Sequence, residues 1–400
     1  MPTEVLVVAD DLTGALDVAG PFASRGHATW VAVDPTACAA EQFADADVLS
    51  INVTSRHLPA ERAAALVFET AGRLCPAHPA IVIKKIDSTL RGNVAAETLA
   101  LVEATGRRNV IVVPAFPAQG RTVRRGVVHV KDQPLAQTAF ARDALSPPPL
   151  EPLDAIFRDA APHARVSLVG PDGPFDLALR NHSRGDDALA IFVVDTETDS
   201  DLDRTVRALK DRLDACVLVG SAGIAGAVAR ECLAPRERPI PPRLRGEMVF
   251  AIGSRAEQSA AQAAALADRA DVAVLPAPNG KLDLLRAFTV PQPLLVIRAT
   301  AGEDGREGDA QCVADTLARA IVEVLRRRPV RALLATGGDT AIAILHALSC
   351  AHLQVYGDVL PGIPHSRLQF DGREISLFTK AGGFGSPRTL LDLVELLQSD

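Results

Sequence analysis

The chain has 400 residues, 48% of them hydrophobic and 23% charged, with a net charge of −7 at neutral pH. That length exceeds what one hydrophobic core usually organises and predicts two domains of roughly 150 to 250 residues. The composition excludes a disordered chain or a polycationic coat for nucleic acid, and an acidic overall field opposes anion capture, so any anion site must be built locally from Lys, Arg and aimed backbone N–H groups.

Val5 to Ala9 is an apolar run that Asp10 and Asp11 end far short of a membrane span, with no basic stretch before it. It is expected to be a buried first strand, neither signal nor anchor. Further β-branched runs follow at Thr29 to Val33, Val48 to Val53, Ile81 to Ile86, Val110 to Val113, Ser167 to Val169, Ile191 to Val194 and Cys216 to Val219. Between them, Ala60 to Leu74 and Val94 to Glu103 carry helical periodicity, and Pro59 announces the first of these. Strands alternating with helices predict a parallel sheet between helical layers.

The segment Ala234 to Arg245 holds four prolines and five charges, which neither a helix interior nor a central strand tolerates. The expected domains are therefore 1–235 and 246–400. In the second, strands are expected at Met248 to Ile252, Val272 to Leu275, Leu294 to Ile297 and Arg331 to Leu334, with helices at Ala256 to Ala267 and Ala310 to Arg327. Leu353 to Leu360 and Glu374 to Thr379 read as strands joined by the turn Phe370, Asp371, Gly372, an antiparallel addition that makes the second sheet mixed. The fold class is α/β throughout, with no internal repeat.

Cys38, Cys75, Cys216, Cys232, Cys312 and Cys350 are scattered without a C-x-x-C pair, and the histidines include no H-E-x-x-H. A reducing cytoplasm is the expected compartment, and no protein-built metal site is legible.

Several strand ends carry candidate chemistry, and in open α/β sheets ligands bind outside the carboxyl ends of strands. Asp10 and Asp11 are adjacent carboxylates at the first such end. One of them capping the following helix is an even match for the pattern, but that does not account for both. Lys84, Lys85, Ile86, Asp87, Ser88, Thr89, Leu90, Arg91, Gly92 and Asn93 place cations around a hydroxyl-rich turn, the make-up of a carboxylate or phosphate anchor. Arg56 follows another strand and has the fork for a bidentate carboxylate contact. Pro114 to Arg121 follows the strand Val110 to Val113 as a stiff loop ending in Gly and Arg, a candidate to line the same pocket. Gly220 to Gly226 lacks G-x-G-x-x-G spacing, and close strand-to-helix packing explains it. In the second half, Gly253 and Ser254, then Thr336 to Thr340, then Lys380 to Gly385 are three glycine-bearing loops after predicted strands. Small residues let backbone N–H groups approach phosphate oxygens, so together they predict a nucleotide site. No P-loop or protein-kinase motif occurs.

In this order the motifs resemble the four-carbon acid sugar kinase family, which includes the D-threonate, D-erythronate and 3-oxo-tetronate kinases. The resemblance spans nearly the whole chain. It is carried by Asp10 to Ala15, by Lys84 to Asn93 in the form of the threonate and erythronate branch, and by Pro114 to Arg121. It implies an acid-binding N-terminal domain and an ATP-binding C-terminal domain, with nucleotide contacts at Ser254, Gly337, Gly338, Asp339, Thr340 and Gly382. Where the family often has a second Ser, this chain has Ala256. Asp339 replaces a common Glu, and Ala381 and Gly383 replace Ser and Asn; all keep the small, backbone-exposing character.

The expected reaction is ATP-dependent phosphorylation of a D-threonate- or D-erythronate-like acid at its terminal hydroxyl, with Mg²⁺, giving the 4-phospho acid and ADP. Arg56, Lys85 and Arg91 hold the carboxylate or the transferring phosphoryl group; Asp10, Asp11, Asp87 and Ser88 complete the acid site. Asp11 or Asp10 accepts the hydroxyl proton or holds Mg²⁺, with Asp87 the reserve base, and the residues leave open which. No nucleic-acid or membrane partner is expected, and a homodimer is compatible. A sugar-acid dehydrogenase, which lacks its dinucleotide fingerprint here, and a non-catalytic two-lobed sugar-acid sensor are the competing readings.

Overall fold

A computed structural model of the chain describes residues 3–74, 78–143, 146–170, 188–237, 243–244, 246–302 and 304–398. Cys75 and positions 238–242 and 245 of the proline-rich segment lie outside the described residues. The chain divides into two compact units, Met1–Glu237 and Arg238–Asp400.

In the first unit the strands are β1 (Val5–Ala9), β2 (Thr29–Ala32), β3 (Val48–Asn52), β4 (Ile81–Lys85), β5 (Asn109–Val113), β6 (Arg121–Arg124), β7 (Val127–Val130), β8 (Gln133–Pro134), β9 (Arg165–Val169), β10 (Ala190–Val194) and β11 (Cys216–Gly220). Eight of these form a parallel sheet in the order β2, β3, β1, β4, β11, β5, β10, β9. Strands buried on both faces need continuous apolar runs, and β1, β3, β4 and β11 are buried along their whole length. Alternate residues sort to opposite faces. Val5, Val7, Ile81, Ile83, Ile111 and Leu218 share a core with the helices Leu12–Ala23, Asp199–Leu209 and Ala222–Cys232. The helices Ala60–Leu74 and Val94–Thr105 pack on each other, and the second also packs on β4 and β11.

β1 sends its helix toward β2, whereas β4 sends its helix toward β5, so the chain reverses direction between these two neighbours. Such a switch point leaves a crevice at the strand ends, unobstructed by either connection. Asp10 and Asp11 leave one side of it and the stretch after Lys85 leaves the other.

β6, β7 and β8 form a small antiparallel sheet that sequence reasoning did not anticipate. Its turns use Arg125, Gly126, Lys131 and Asp132, all at positive φ. Those sequences lack the Asn-Gly or Asp-Gly signal that makes a hairpin legible.

In the second unit the strands are β12 (Glu247–Ile252), β13 (Val272–Pro278), β14 (Leu294–Thr300), β15 (Val330–Thr336), β16 (His352–Leu360), β17 (Ile363–Phe370) and β18 (Arg373–Lys380). They run β13, β14, β12, β15, β18, β17, β16, parallel as far as β18 and antiparallel beyond. The sheet is mixed, but the hairpin differs from expectation. The turn at Asp371 and Gly372 joins β17 to β18, and β17 is a strand the sequence reading left out. Pro364 and His365, both buried in β17, break the apolar and polar alternation by which a strand is recognised. β12 and β15 repeat the switch-point arrangement of β1 and β4. Among the described residues no helix is long and apolar enough to cross a membrane.

Candidate active site

At the first switch point, Asp11 caps the helix Leu12–Ala23 by accepting from the Gly14 N–H at 2.9 Å. The same carboxylate has a second partner. Arg56, four residues beyond β3, donates from Nη1 to Asp11 Oδ2 at 2.9 Å and from Nη2 to Asp11 Oδ1 at 2.8 Å. Its Nε and Nη2 also reach Asp10 Oδ2 at 2.7 Å and Oδ1 at 3.0 Å. One guanidinium therefore holds two carboxylates that would otherwise repel each other. Burial alone would raise the Asp10 pKa, but the charge and hydrogen bonds of Arg56, helped by Lys84 and Lys85, hold it below the usual carboxylate range. Burial opposes the charge of Arg56 as well, and the two aspartates raise its pKa. The Asp11 side chain is 23% exposed and that of Asp10 only 4%, so Asp11 is the carboxylate that a ligand can reach.

Lys85 ends β4 beside this pair. A Cβ on Gly14 would stand 2.5 Å from Asp11 Oδ1 and 2.6 Å from Lys85 Nζ, so the missing side chain is what lets both groups crowd the helix N-terminus. The Lys85 residue is buried, yet among the described residues its ammonium makes no hydrogen bond or ion pair. Lys84, by contrast, points away and is consumed: its Nζ lies 2.9 Å from Glu97 Oε2 and donates to Lys85 O at 2.8 Å. Glu97 Oε1 accepts from the Ser55 hydroxyl at 2.9 Å and so ties down the residue before Arg56.

The turn after β4 is a loop, because the next helix starts only at Val94. Asp87 does not cap it. Its carboxylate accepts from Arg91 Nε at 2.9 Å and Nη2 at 3.2 Å, and from the Thr89 hydroxyl. Burial would raise the Asp87 pKa, but Arg91, Arg56 and these hydrogen bonds hold it far below the ordinary range. Arg91 also reaches Asp143 at 3.4 Å. Ser88 sits half-buried in the same turn. Gly92, at φ +89°, passes so close to Asp10 that a Cβ would lie 3.1 Å from its Oδ2. Thr54 and Leu90 hold positive φ on either side of the cluster, a strained conformation that tends to persist at ligand sites. The structure thus brings Asp10, Asp11, Arg56, Lys85, Asp87, Ser88 and Arg91 to one edge, with Arg56 and Arg91 already paired to carboxylates. At β11, Gly220 and Gly223 run against the backbone of Val113 and Ala115, so their glycines serve packing.

In the second unit the loops after β12, β15 and β18 converge. A Cβ on Gly382 would meet Ser254 Cβ at 2.7 Å, and one on Gly253 would meet Thr340 Cβ at 3.0 Å. Gly337, at φ +93°, caps the helix Gly338–Ala347 and lies against Ser254. At the N-terminus of that helix lies a cavity of about 220 Å³ lined by Gly253, Ser254, Arg255, Gly337, Asp339 and Thr340 together with the apolar Ala310, Val313 and Ala314. A helix N-terminus, small residues and an apolar patch in one lining fit a nucleoside phosphate. Asp339 stands exposed in the first turn of the helix. Lys380, not singled out from the sequence, is almost fully buried and donates to Ala381 O at 2.8 Å, Phe384 O at 3.1 Å and Gly382 O at 3.3 Å. It shapes the loop that carries Gly382, and burial lowers its pKa to about 8. Its position as the last residue of a strand, like Lys85, was the available signal. Among the described residues no group of three or more His, Cys, Asp or Glu stands together to hold a metal.

Residues 5–228 match the model of a sugar-binding N-terminal domain, and residues 249–390 that of a nucleotide-binding C-terminal domain. The chain is 33% identical to a D-threonate kinase of Cupriavidus necator over 96% of each chain. Relatives named 3-oxo-tetronate kinase and D-erythronate kinase match at lower identity. A solved Salmonella typhimurium structure shares the fold, with a TM-score of 0.78 at 20% identity over 97% of this chain and 98% of that one. A Bordetella bronchiseptica structure, 30% identical over 99% of this chain and 98% of that one with a TM-score of 0.50, is a domain-swapped dimer with bound citrate.

Proposed function

The chain belongs to the four-carbon acid sugar kinase family, and from that premise we propose that it transfers the γ-phosphoryl group of ATP to the terminal hydroxyl of D-threonate or a D-erythronate-like stereoisomer. The products are the 4-phospho acid and ADP. The observation that carries this reading is the Lys85 ammonium, at the tip of a buried residue and without hydrogen bond or ion pair among the described residues, beside Asp11 at a helix N-terminus, a positive pole next to an accessible carboxylate. A phosphoryl group passing that point meets the ammonium and the helix-end amides, and the acceptor hydroxyl meets the carboxylate.

Asp11 accepts the hydroxyl proton as the new O–P bond forms and the bond to the leaving ADP oxygen breaks. Asp10, deeper and held ionised, and Arg56 fix the orientation of Asp11. Asp87, engaged by Arg91 and the Thr89 hydroxyl, is assigned to accept a hydrogen bond from a substrate hydroxyl, with Arg91 keeping it in place. Ser254, Gly337, Gly338, Thr340 and Gly382 take the nucleotide phosphates through backbone and hydroxyl donors. Asp339, exposed in the first turn of the helix Gly338–Ala347, would be the carboxylate beside Mg²⁺ arriving with ATP, and the ion would supply charge neutralisation for the phosphates.

The domain boundary is placed in the proline-rich stretch 236–245. The citrate of the Bordetella bronchiseptica structure is a hydroxy acid, the chemistry proposed for the acceptor, and its dimer supports a dimeric assembly here. ATP as donor, and cysteines that form no disulfide among the described residues, suit a reducing cytoplasm. The test is an ADP-release assay over a panel of four-carbon acids, with phosphorus NMR locating the phosphate. Release with none of them, or a phosphate on another oxygen, refutes the assignment.

A further inference from the structure

The ends of four neighbouring strands lie level. Ala9 of β1 pairs with Lys85 of β4, Lys85 with Gly220 of β11, and Gly220 with Val113 of β5. The loop after β5 therefore opens at the same edge as the Asp10 to Asp11 turn and the Ile86 to Asn93 turn. That loop folds through Pro117–Gln119 and Gly120 at φ +68°, and returns as β6, starting at Arg121. Phe116 and Arg121 exchange backbone hydrogen bonds at 2.9 and 3.1 Å. Two residues on, Val123 and Thr196 do the same at 2.8 and 2.9 Å, which ties the strand to the segment after β10. Arg121 thus sits on anchored backbone.

Its side chain is held without being satisfied. Nη1 donates to the Gln119 carbonyl, and the guanidinium lies 5.5 Å from the Phe140 ring centroid. Nε is buried and, among the described residues, has no acceptor. Burial lowers the Arg121 pKa, Asp87 opposes that and Arg91 adds to it, which places the group in the electrostatic neighbourhood of both. A buried Nε–H with no acceptor is costly unless one arrives. Arg56 and Arg91 have spent their forks on Asp10, Asp11, Asp87 and Asp143. Arg121 has not, and the acceptor that matches a planar fork is a carboxylate.

We propose that Arg121 is the residue that reads the substrate's carboxylate, presenting Nε and the adjacent Nη as a fork. The inference rests on the acid-kinase reading and deepens it. It orients the acid with its carboxylate toward the β5 side of the edge and its terminal hydroxyl toward Asp11 at β1. The class of ligand taken is then a short polyhydroxy monocarboxylate, with uncharged four-carbon polyols and carboxamides discriminated against.

Calorimetric titration of D-threonate and D-erythronate, and of the isosteric D-threonamide by competition, tests this without turnover. For Arg121→Met, Kd for the better acid should rise roughly ten- to hundredfold, as for loss of a charge-assisted hydrogen-bonded pair. Kd for the amide should barely move, so the wild-type preference for acid over amide collapses. Arg121→Gln keeps a stem over Phe140 and should behave alike, so either variant decides the matter if the other does not fold. Acid affinity within twofold of wild type, or an equal loss for acid and amide, overturns the proposal. So does an absence of acid binding by the wild-type protein. ADP release is measured separately on the wild type: binding that depends on Arg121 without ADP release sinks the kinase reading and leaves the carboxylate site standing.

Discussion

Replacing Lys84 with methionine should destabilise the N-terminal unit far more than loss of a surface charge would. Lys84 has no exposed surface and Glu97 is 1% exposed, with Nζ and Oε2 2.9 Å apart. Methionine fills most of the stem's volume, so the main loss is electrostatic. Glu97 is left with the Ser55 hydroxyl on Oε1 and no cation within a buried layer. Removing one partner of a buried pair costs about 3–5 kcal/mol, since the other charge must stay desolvated or take up a proton. For a unit of this size each kcal/mol moves the melting temperature by ~2–4 °C, so the fall should be roughly 6–20 °C. Glu97→Leu should be comparably damaging, because it strands the ammonium. The double variant, with both charges gone, should recover most of the loss, as apolar replacement of a whole buried pair often does. Urea unfolding of the four proteins, followed by a probe in the N-terminal unit, gives the cycle directly. Single variants within ~1 kcal/mol of wild type, or a double variant that costs the sum of the two, would refute the reasoning. Ser55 precedes Arg56, so Glu97→Leu should also raise KM for the acid.

Asp11→Asn should lower kcat by about 10²–10⁴ while leaving the melting temperature close to wild type, because Asn caps a helix nearly as well as Asp; unchanged kcat refutes its role as base. Asp87→Asn should mainly raise KM for the acid, and a larger effect on kcat than that of Asp11→Asn would exchange the two assignments. Gly382→Ala places a methyl against Ser254, so KM for ATP should rise by about tenfold or more with acid binding by calorimetry unchanged. The Lys380 pKa of about 8 lies below its unfolded value of 10.5, so between those pH values the unfolded chain binds more protons than the folded one. The cost of burying this charge is fully present below pH 8 and is relieved as pH rises toward 10.5. Over the same window the carbonyls around Nζ lose their ammonium, and KM for ATP should climb above pH 8; a flat profile removes Lys380 from the nucleotide loop.

Much of the sheet was legible because a strand buried on both faces has to be apolar along its length, and β1, β3, β4 and β11 are written that way. The helices Ala60–Leu74 and Ala310–Arg327 have the bounds that periodicity and flanking residues indicate. β17 and the β6 to β8 sheet were not legible. Their stability comes from pairing with neighbours rather than from a continuous apolar face, and β17 carries a buried Pro364 and His365. The Lys84 to Asn93 run shows the same limit within the site. Its composition indicated an anchor, but Lys84 and Lys85 are adjacent in a strand and point to opposite faces, so one is spent on Glu97 and the other faces the edge.

Sequence by itself determined the element rhythm, the two-part division and the strand ends at which polar residues collect, because apolar period and chain punctuation are local properties. Tertiary structure decided which of those polar residues are already paired. Arg56 reads as a free cation until the switch point between β1 and β4 folds it onto Asp10 and Asp11, and Arg91 until the turn after β4 wraps it onto Asp87. Arg121 remains with an unspent Nε, and Lys85 without an ion pair among the described residues, because the carboxylates near them are already claimed. Pairing over 45 residues of separation, as between Arg56 and Asp11, depends on strand order in the sheet, which no local pattern records.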